Sequence, residues 1–410
     1  MDATLTPDRM VHGGRALART DDGTVALVTG AIPGETVRVR LRRVSGVLQG
    51  ETTEVLDADP DRVPTPVHPG LDLGFVRYER QLVLKAEVLR DAAHRAGVTL
   101  PEPDPHVVPS PRVWEYRCGI QPAVRGGRLG YRAQGSDRVV LLDRDPTAMP
   151  ALQEAWTLLE RARLPAGVVE VALRGNDAGE ALAAFVTTVP DRELLDLAHG
   201  LVAAGLAGVA VAPWNEAGRF RSGKSRLAGK RAIRQRFGDV DASVSATAFA
   251  QPNPEAAGEA FRALLAMTPG GGHAVELFAG SGVIGMHLAG RYAQVTAVET
   301  SFESVARGRA DAERLGTTNL TFVRADARRV ALPEAELIAV DPPRAGLAKA
   351  LRQKISETDT KTLAYMACDV ATWARDAHDL QERGWRLAEV AAFDFQPHTH
   401  HLELVTRFER

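Results

Sequence analysis

The stretch His273-Ala-Val-Glu-Leu-Phe-Ala-Gly-Ser-Gly-Val-Ile-Gly285 decides the fold that we expect for this chain. Its first part, residues 273–278, is an apolar run of strand length, and residues 279–282 form a glycine turn that leads into a helical pattern. The glycines allow a ligand to approach the backbone, and the start of the helix offers free N–H groups. The stretch therefore predicts a strand, a ligand-binding turn and a helix at one edge of a parallel sheet.

Alternating strand and helix patterns continue from this stretch to the end of the chain. Strands are predicted at residues 293–298, 320–324, 337–340, 362–367, 387–393 and 402–408, and helices at residues 283–289, 302–315, 347–357 and after Cys368. This alternation indicates right-handed crossovers and a parallel sheet that is covered on both faces. We therefore predict a Rossmann-like α/β domain over residues 246–410.

Acidic residues follow three of the predicted strands. Glu299 ends the second strand, at the position that hydrogen-bonds a ribose diol in nucleotide-binding folds. Asp326 follows the third strand, where it could bind an adenine amino group, and Asp341 ends the fourth. Each acid alone could be a helix cap, but three in strand order favour a ligand site. The glycines of residues 280–285 also fit a dinucleotide fingerprint, yet nothing nearby supplies a hydride-transfer residue, so S-adenosylmethionine fits better.

Cys368 lies in a second strand-to-helix turn, within Tyr365-Met-Ala-Cys-Asp-Val370. A helix amino terminus favours an anion and so favours a thiolate, although on position alone a single cysteine is more often an inert core residue. Asp341-Pro-Pro-Arg344 forms a rigid turn that determines what Asp341 faces. Methyltransferases that act on exocyclic amines place an aromatic residue after the two prolines, so Arg344 argues against amine chemistry.

Bulk composition limits the class of protein. The chain has 410 residues, of which 25% are charged and 45% hydrophobic, as in an ordinary soluble protein of two or three domains. Two cysteines exclude a disulfide scaffold and favour a reducing cytosol. The sequence shows no secretory leader and no apolar run of transmembrane length, so we expect a cytoplasmic monomer that contacts no membrane. With a net charge of -2, any nucleic-acid contact must come from local patches.

The rest of the chain predicts two further units. Residues 1–58 are expected to form a small β-barrel with strands at 24–29, 35–41 and 51–56, and residues 59–245 a central α+β domain that follows a linker at 59–77. A helix is predicted from Glu79 to Ala96. The strand at 35–41 alternates apolar residues with arginines, so its cationic face is either a solvated surface or an RNA-facing barrel wall.

The clearest charge feature runs from Arg219 to Arg236, with eight cations and no acid. A charge run is usually a solvated face, but one this one-sided in a near-neutral chain favours a polyanion site whose binding is sensitive to salt. Our candidates for RNA binding are Arg38, Arg40, Arg219, Arg221, Lys224, Arg226, Lys230 and Arg231.

Taken together, these motifs resemble the S-adenosylmethionine-dependent RNA uracil-5-methyltransferases that carry an amino-terminal TRAM domain. The resemblance covers nearly the whole chain. It is carried by residues 9–34, which look like the TRAM barrel, by Phe249-Ala-Gln-Pro-Asn253, and by Pro397-His-Thr-His-His-Leu-Glu403. It implies that Cys368 is the nucleophile and Glu403 the base. With the glycine turn, the implied cofactor or substrate positions are Gln251, Phe278, Gly280, Glu299, Asp326 and Asp341.

The chemistry that the resemblance implies explains these residue types. A thiolate that adds to carbon 6 of uracil makes carbon 5 nucleophilic toward a methyl donor, and a base then removes the proton from carbon 5 so that the cysteine leaves. The target uridine must be unstacked, which favours loops or single-stranded RNA. The TRAM-like unit favours 23S rRNA over tRNA. The alternatives are a tRNA uridine-5-methyltransferase and a non-catalytic RNA-binding or ribosome-assembly factor; a small-molecule methyltransferase leaves the cationic run unexplained.

The chain departs from the family pattern at several positions. Residues 64–77, where many relatives carry cysteines for an iron–sulfur cluster, contain no cysteine, so we predict no cluster. The usual Asn-Pro after the nucleophile is replaced by Asp369-Val370, and an acid beside Cys368 should raise the pKa of the thiol. Val283 replaces a small polar residue. His398, His400 and His401 favour packing or RNA contact over a metal site.

Overall fold

The computed structural model describes residues 1–64, 67–103, 105–214 and 225–410. The strands are β1 (Asp2–Leu5), β2 (Arg9–Val11), β3 (Arg15–Arg19), β4 (Val25–Thr29), β5 (Thr36–Val44), β6 (Val47–Asp57), β7 (Val107–Val108), β8 (Gly119–Ile120), β9 (Ala123–Arg125), β10 (Arg128–Arg132), β11 (Val139–Leu141), β12 (Val168–Gly175), β13 (Ala181–Thr187), β14 (Gly208–Pro213), β15 (Ser225–Gly229), β16 (Ile233–Phe237), β17 (Val240–Val244), β18 (Gly271–Leu277), β19 (Tyr292–Glu299), β20 (Leu320–Arg324), β21 (Leu337–Val340), β22 (Thr362–Ala367), β23 (Arg386–Phe393) and β24 (Glu403–Glu409). The helices are α1 (Tyr78–Ala96), α2 (Pro150–Ala162), α3 (Asp191–Ala203), α4 (Pro254–Met267), α5 (Val283–Leu288), α6 (Phe302–Arg314), α7 (Lys349–Ser356) and α8 (Val370–Glu382).

The amino-terminal strands form a six-stranded sheet in the order β1-β5-β6-β4-β3-β2. The predicted alternation along β5 is confirmed, since its apolar residues are buried and its arginines are exposed. The cationic face is not purely cationic, however. Arg38 stands opposite Glu54 and Arg40 opposite Glu51, and Arg38 forms an ion pair with Glu54. Because exposed ion pairs of this kind leave little net field, the face is less positive than the strand alone indicated.

Residues 59–77, which we predicted to be a linker, do not form a free connection between two units. In the described part of this segment, Leu71, Leu73 and Val76 are buried, and the N–H of Leu73 donates to the carbonyl of His398 at 2.9 Å. The segment packs against the rest of the fold because burial of these apolar residues removes their surface from water and orders the chain there. The segment therefore joins the amino-terminal sheet to the carboxy-terminal motif.

The central unit contains an eight-stranded sheet in which β11-β10-β9-β12-β13-β14-β15 form the main path and β8 pairs with β12. Helices α2 and α3 pack on it around a core that includes Trp156 and Phe185. The hairpin of β16 and β17 lies apart from this sheet, and its apolar side chains pack with those of α4 and α5.

The carboxy-terminal sheet has the order β20-β19-β18-β21-β22-β24-β23-β7. The predicted parallel sheet is confirmed for strands β20, β19, β18, β21 and β22, but it is wrong for β24, which lies antiparallel between β22 and β23. The connection from β23 to β24 is short and carries no helix, so it returns the chain as a hairpin does. Coverage on both faces is confirmed: α4, α5 and α6 pack on one face, and α1, α7 and α8 on the other. Among the described helices, none combines the length and apolarity needed to cross a bilayer.

Candidate active site

The predicted site residues converge at one edge of the carboxy-terminal sheet. Glu299 is the last residue of β19, Asp341 follows β21, and Cys368 follows β22. Glu403 begins β24, whose antiparallel direction brings its first residue to the edge where the parallel strands end. A site at the carboxyl ends of parallel strands is where open α/β sheets bind ligands.

The glycine turn forms a cradle beside this edge. Gly280 has φ +57, and a Cβ placed on it would meet nothing within 4 Å, so its backbone is open to a ligand. Gly282 has φ +74, and a Cβ there would collide with the ring of Phe322 at 2.5 Å. The N–H of Gly280 donates to the carboxylate of Glu299 at 3.0 Å, which holds that acid at the turn. The cradle is thus open on its backbone side at Gly280 and has an acid held beside it.

Cys368 and Glu403 lie opposite one another. The register of β22 and β24 pairs Ala367 with Leu404, and the next positions along both strands are Cys368 and Glu403. Residues at opposite positions of an antiparallel pair have Cα atoms about 5 Å apart. Glu403 is buried, with 5% of its surface exposed, and its Oε1 has no hydrogen-bond partner among the described residues. A buried carboxylate oxygen without a partner beside a thiol is costly for folding alone and indicates a functional role.

Burial controls the protonation of this cluster. Burial, together with the charges of Glu403 and Asp341 and against that of Arg344, raises the pKa of the Cys368 thiol to about 12. Burial also raises the pKa of Glu403 well above its usual range, and it raises the pKa of Asp341 to about 7. The expected preference for a thiolate at the helix amino terminus is therefore wrong for the free protein, where the thiol keeps its proton.

In the sequence Arg344 argues only against amine chemistry, but in the fold it is a cation close to both Cys368 and Glu403. Its charge lowers the pKa of both Cys368 and Glu403, and its Nη2 lies 3.2 Å from His401 Nε2. Burial lowers the pKa of His401 to about 3, so this imidazole is neutral and can accept from the guanidinium. The Pro-Pro-Arg sequence was the available signal.

Asp369, which we expected from its sequence position to raise the pKa of the thiol, makes its own contacts with Thr372 and His12. Its Oδ1 accepts from the N–H of Thr372 at 2.9 Å and caps α8, and its Oδ2 lies 3.3 Å from Nε2 of His12. Burial, Glu403 and Asp341 are the main causes of the high pKa of Cys368. Sequence reasoning missed His12, since nothing in the chain marks a contact across 357 positions.

The remaining cofactor candidates have varied surroundings. The side-chain amide of Gln251 donates to Asp341 at 3.2 Å, so it joins the cluster. Phe278 has φ +61, an unusual backbone conformation for a large residue, directly before the cradle. Asp326 is engaged by Arg328, whose Nη2 lies 2.6 Å from its Oδ2, and this hydrogen bonding lowers the pKa of Asp326 to about 2.

Only part of the RNA-binding prediction can be compared with the structure, because Arg219, Arg221 and Lys224 lie outside the described residues. Lys230 pairs with Glu180, and Arg226 donates to the carbonyl of Gly229 at 2.8 Å. Arg231 is exposed. Among the described candidates of this run, the charge of Lys230 is therefore offset by an acid, and Arg226 and Arg231 remain candidates for phosphate contact.

The three histidines of the carboxy-terminal motif have separate partners. His398 hydrogen-bonds to Gln81 and stacks on Trp114, with ring centroids 3.8 Å apart. His400 pairs with Asp72. In the described parts of the chain, no group of three or more His, Cys, Asp or Glu side chains is arranged to hold a metal ion.

This architecture has a close counterpart among solved structures. Pyrococcus abyssi tRNA (uracil-54, C5)-methyltransferase, solved with S-adenosyl-L-homocysteine, superimposes with a TM-score of 0.78 at 24% identity, covering 98% of this chain and all of that one. The chain thus has the mixed α/β fold of a methyltransferase.

Sequence comparison specifies the family. Residues 332–410 match the tRNA (uracil-5-)-methyltransferase family model. The 23S rRNA (uracil(1939)-C(5))-methyltransferase RlmD of Alkalilimnicola ehrlichii is 33% identical over 97% of this chain and 94% of its own length. The RlmD of Halomonas elongata is 30% identical over 98% of this chain and 88% of its own. The chain belongs to the RNA uracil-5-methyltransferase family.

Proposed function

We propose that this protein transfers a methyl group from S-adenosylmethionine to carbon 5 of a uridine in 23S rRNA, with Cys368 as nucleophile and Glu403 as base. The observation that supports these roles is that Cys368, directly after β22, and Glu403, the first residue of β24, continue the register that pairs Ala367 with Leu404, at the same sheet edge as the glycine cradle. The rRNA target follows the two relatives that match nearly the full chain. A tRNA target is the second candidate, since the matching family model carries that description.

The cofactor would lie on the cradle. Gly280, Gly282, Glu299 and Gln251 are the residues that would hold it, with Phe278 and Asp326 at the margins. When bound, S-adenosylmethionine supplies an electrophilic methyl group on a sulfonium. Glu299 can accept from a ribose diol through the carboxylate that the Gly280 N–H holds in place.

Proton transfer is the task of the buried groups. The sulfur of Cys368 bonds to carbon 6 of the uracil as the thiol proton passes to a carboxylate, and Asp341, with a pKa of about 7, is a suitable acceptor near neutral pH. After methylation, Glu403 in its ionised form removes the proton from carbon 5, the freed electron pair forms the double bond between carbons 5 and 6, and the sulfur of Cys368 leaves as a thiolate that takes back the proton held by Asp341. Arg344 stabilises the negative charge that develops during both steps.

RNA contact would involve the amino-terminal unit and the cationic run. We propose residues 1–58 as a TRAM-like RNA-binding unit, residues 59–245 as the central unit and residues 246–410 as the catalytic unit. Arg38, Arg40, Arg226, Lys230 and Arg231 are the described candidates for phosphate contact. Their loss should reduce the salt dependence of binding.

Transfer of radiolabelled methyl groups into unmodified 23S rRNA and into tRNA tests the proposal. We expect labelled 5-methyluridine in the rRNA, none with Cys368→Ala, and wild-type labelling with Cys118→Ala, the buried matched control. Glu403→Gln should accumulate a covalent RNA adduct that resists denaturing electrophoresis, because elimination requires the base. Equal methylation by wild type and Cys368→Ala would refute the mechanism, and labelling confined to tRNA would refute the rRNA target.

A further inference from the structure

The turn between β2 and β3 of the amino-terminal sheet lies against the turn that carries Cys368. Val11, His12 and Gly13 line the same cavity as Cys368, Asp369 and Val370. The amino-terminal sheet is therefore part of the immediate surroundings of the proposed nucleophile, although it is far from it in the chain.

Asp369 is held at both carboxylate oxygens. Oδ1 caps α8 through the N–H of Thr372 at 2.9 Å, and Oδ2 lies 3.3 Å from Nε2 of His12. The Asp369 side chain is 21% exposed and that of His12 is 43% exposed. The carboxylate adjacent in sequence to the thiol is thus anchored by its own helix and by a titratable group of another unit.

We propose that His12 is a positioning residue for the methyl transfer: it neutralises the carboxylate that follows Cys368 and so allows the thiol to ionise beside an acid. This inference rests on the proposed function, in which the thiol of Cys368 loses its proton as the sulfur bonds to carbon 6. The reason is electrostatic, since an uncompensated negative charge close to a thiol disfavours its ionised form.

The neighbours of His12 leave it available for this role. The hydrogen bond from His12 to Asp369 raises the pKa of His12. The His400 ring faces it edge-on with centroids 6.2 Å apart, and His400 is itself paired with Asp72. Lys85 on α1 and His401 also line the cavity, and Lys85 forms an ion pair with Asp394. On β2, Arg9 faces Asp8 and Asp91. Among the described residues, Asp369 is the acid that pairs with His12.

The test measures the reactivity of the thiol without RNA or cofactor. N-ethylmaleimide is added to the full chain, and labelling of Cys368 is followed by mass spectrometry between pH 6.5 and pH 8.5. The thiolate sulfur bonds to one alkene carbon of the maleimide, and the other carbon takes a proton from water. Cys118, which is fully buried, is the internal control. The variants are His12→Gln, which keeps a hydrogen-bond donor but removes the charge, Asp369→Asn, which can still cap α8, and the double variant.

We expect His12→Gln to be labelled about fivefold more slowly than wild type near pH 6.5, as for a unit charge uncovered close to a thiol. The difference should shrink as the pH rises, because deprotonation of wild-type His12 removes the charge that distinguishes it from glutamine. The double variant should be labelled at the rate of Asp369→Asn. Three results would overturn the proposal. The first is equal labelling rates of wild type and His12→Gln at pH 6.5, and the second is a slower rate of His12→Gln that does not change with pH. The third is a double variant that is labelled more slowly than Asp369→Asn. Because labelling needs neither substrate, these outcomes are separate from a failure of methyl transfer.

Discussion

The substitution Asp341→Asn should make the protein more stable at alkaline pH. Burial raises the pKa of Asp341 from 3.8 to about 7. In the pH range between these values the folded state binds a proton that the unfolded state has lost, so stability falls as the pH rises. The penalty is absent below about pH 3.8 and complete above about pH 7. Asparagine removes the charge and can keep the hydrogen bond with Gln251 by exchanging donor and acceptor.

The structure sets a ceiling on the effect. A rise from 3.8 to about 7 corresponds to about 4 kcal/mol. Asp341 is only half-buried on the accessible surface, and its titration is linked to that of Glu403, so solvent and the neighbouring acid reduce the gain. We therefore expect Asp341→Asn to raise the free energy of unfolding by about 2 kcal/mol at pH 8.5 and by little at pH 4.

Urea unfolding at pH 4, 6 and 8.5, followed by tryptophan fluorescence, measures this difference. Asp379→Asn is the matched control, because hydrogen bonding to Arg383 lowers the pKa of Asp379 to about 2. The ionised Asp379 stabilises the folded state at pH values above its pKa in the unfolded chain, and this contribution is lost as the pH falls. Asp379→Asn should therefore be less stable than wild type at pH 8.5. A gain for Asp341→Asn that is the same at all three pH values, or a loss at pH 8.5, would refute the reasoning.

Two further substitutions test the contacts that surround the site. Gly14→Ala should lower the urea midpoint more than Gly13→Ala: both glycines have positive φ, but a Cβ on Gly14 would lie 2.6 Å from Asp72 Oδ2, whereas one on Gly13 meets nothing within 4 Å. The extra loss should be about 1 kcal/mol, and equal losses would contradict the packing argument. Lys85→Met should cost about 3 kcal/mol in thermal or urea unfolding, because it leaves the buried carboxylate of Asp394 without its ion pair at 2.7 Å. The double variant Lys85→Met/Asp394→Leu should recover most of that loss, and no recovery would show that the lysine stem rather than its charge is what matters.

Local patterns in the sequence were sufficient to predict most strands and helices of the carboxy-terminal sheet and its covering layers. Strand and helix periods are properties of short windows, and the predicted elements from 293–298 to 337–340 agree with β19, α6, β20 and β21. The edge position of Glu299 and Asp341 followed because parallel strands all end at one side of a sheet. The place of β24 between β22 and β23 could not be predicted in this way, since strand order depends on pairing between distant segments.

The electrostatics of the site depended even more on distant contacts. The sequence shows Asp369 next to Cys368, and proximity in the chain predicted a direct effect on the thiol. In the fold, Asp369 turns toward Thr372 and His12. Glu403 is 35 positions from Cys368 in the chain, but as its neighbour across the strands it is a leading cause of the high thiol pKa. Burial and cross-strand register, which determine these effects, are set by the assembled sheet.

The high pKa of the thiol is compatible with its proposed role as a nucleophile. In the free protein, Cys368 and Glu403 both favour their protonated forms because charge is costly in this buried cluster, and Asp341 titrates near neutrality. The proposed reaction requires the sulfur to lose a proton only as it bonds to carbon 6, and later requires a carboxylate that binds a proton strongly enough to take it from carbon 5. A carboxylate with a raised pKa meets the second need once it is ionised, and the charge of Arg344 favours the ionised forms of both Glu403 and Cys368. The same burial that disfavours a resting thiolate therefore makes the carboxylate of Glu403 a stronger base. The sulfur becomes reactive only when a pyrimidine is present to accept the negative charge.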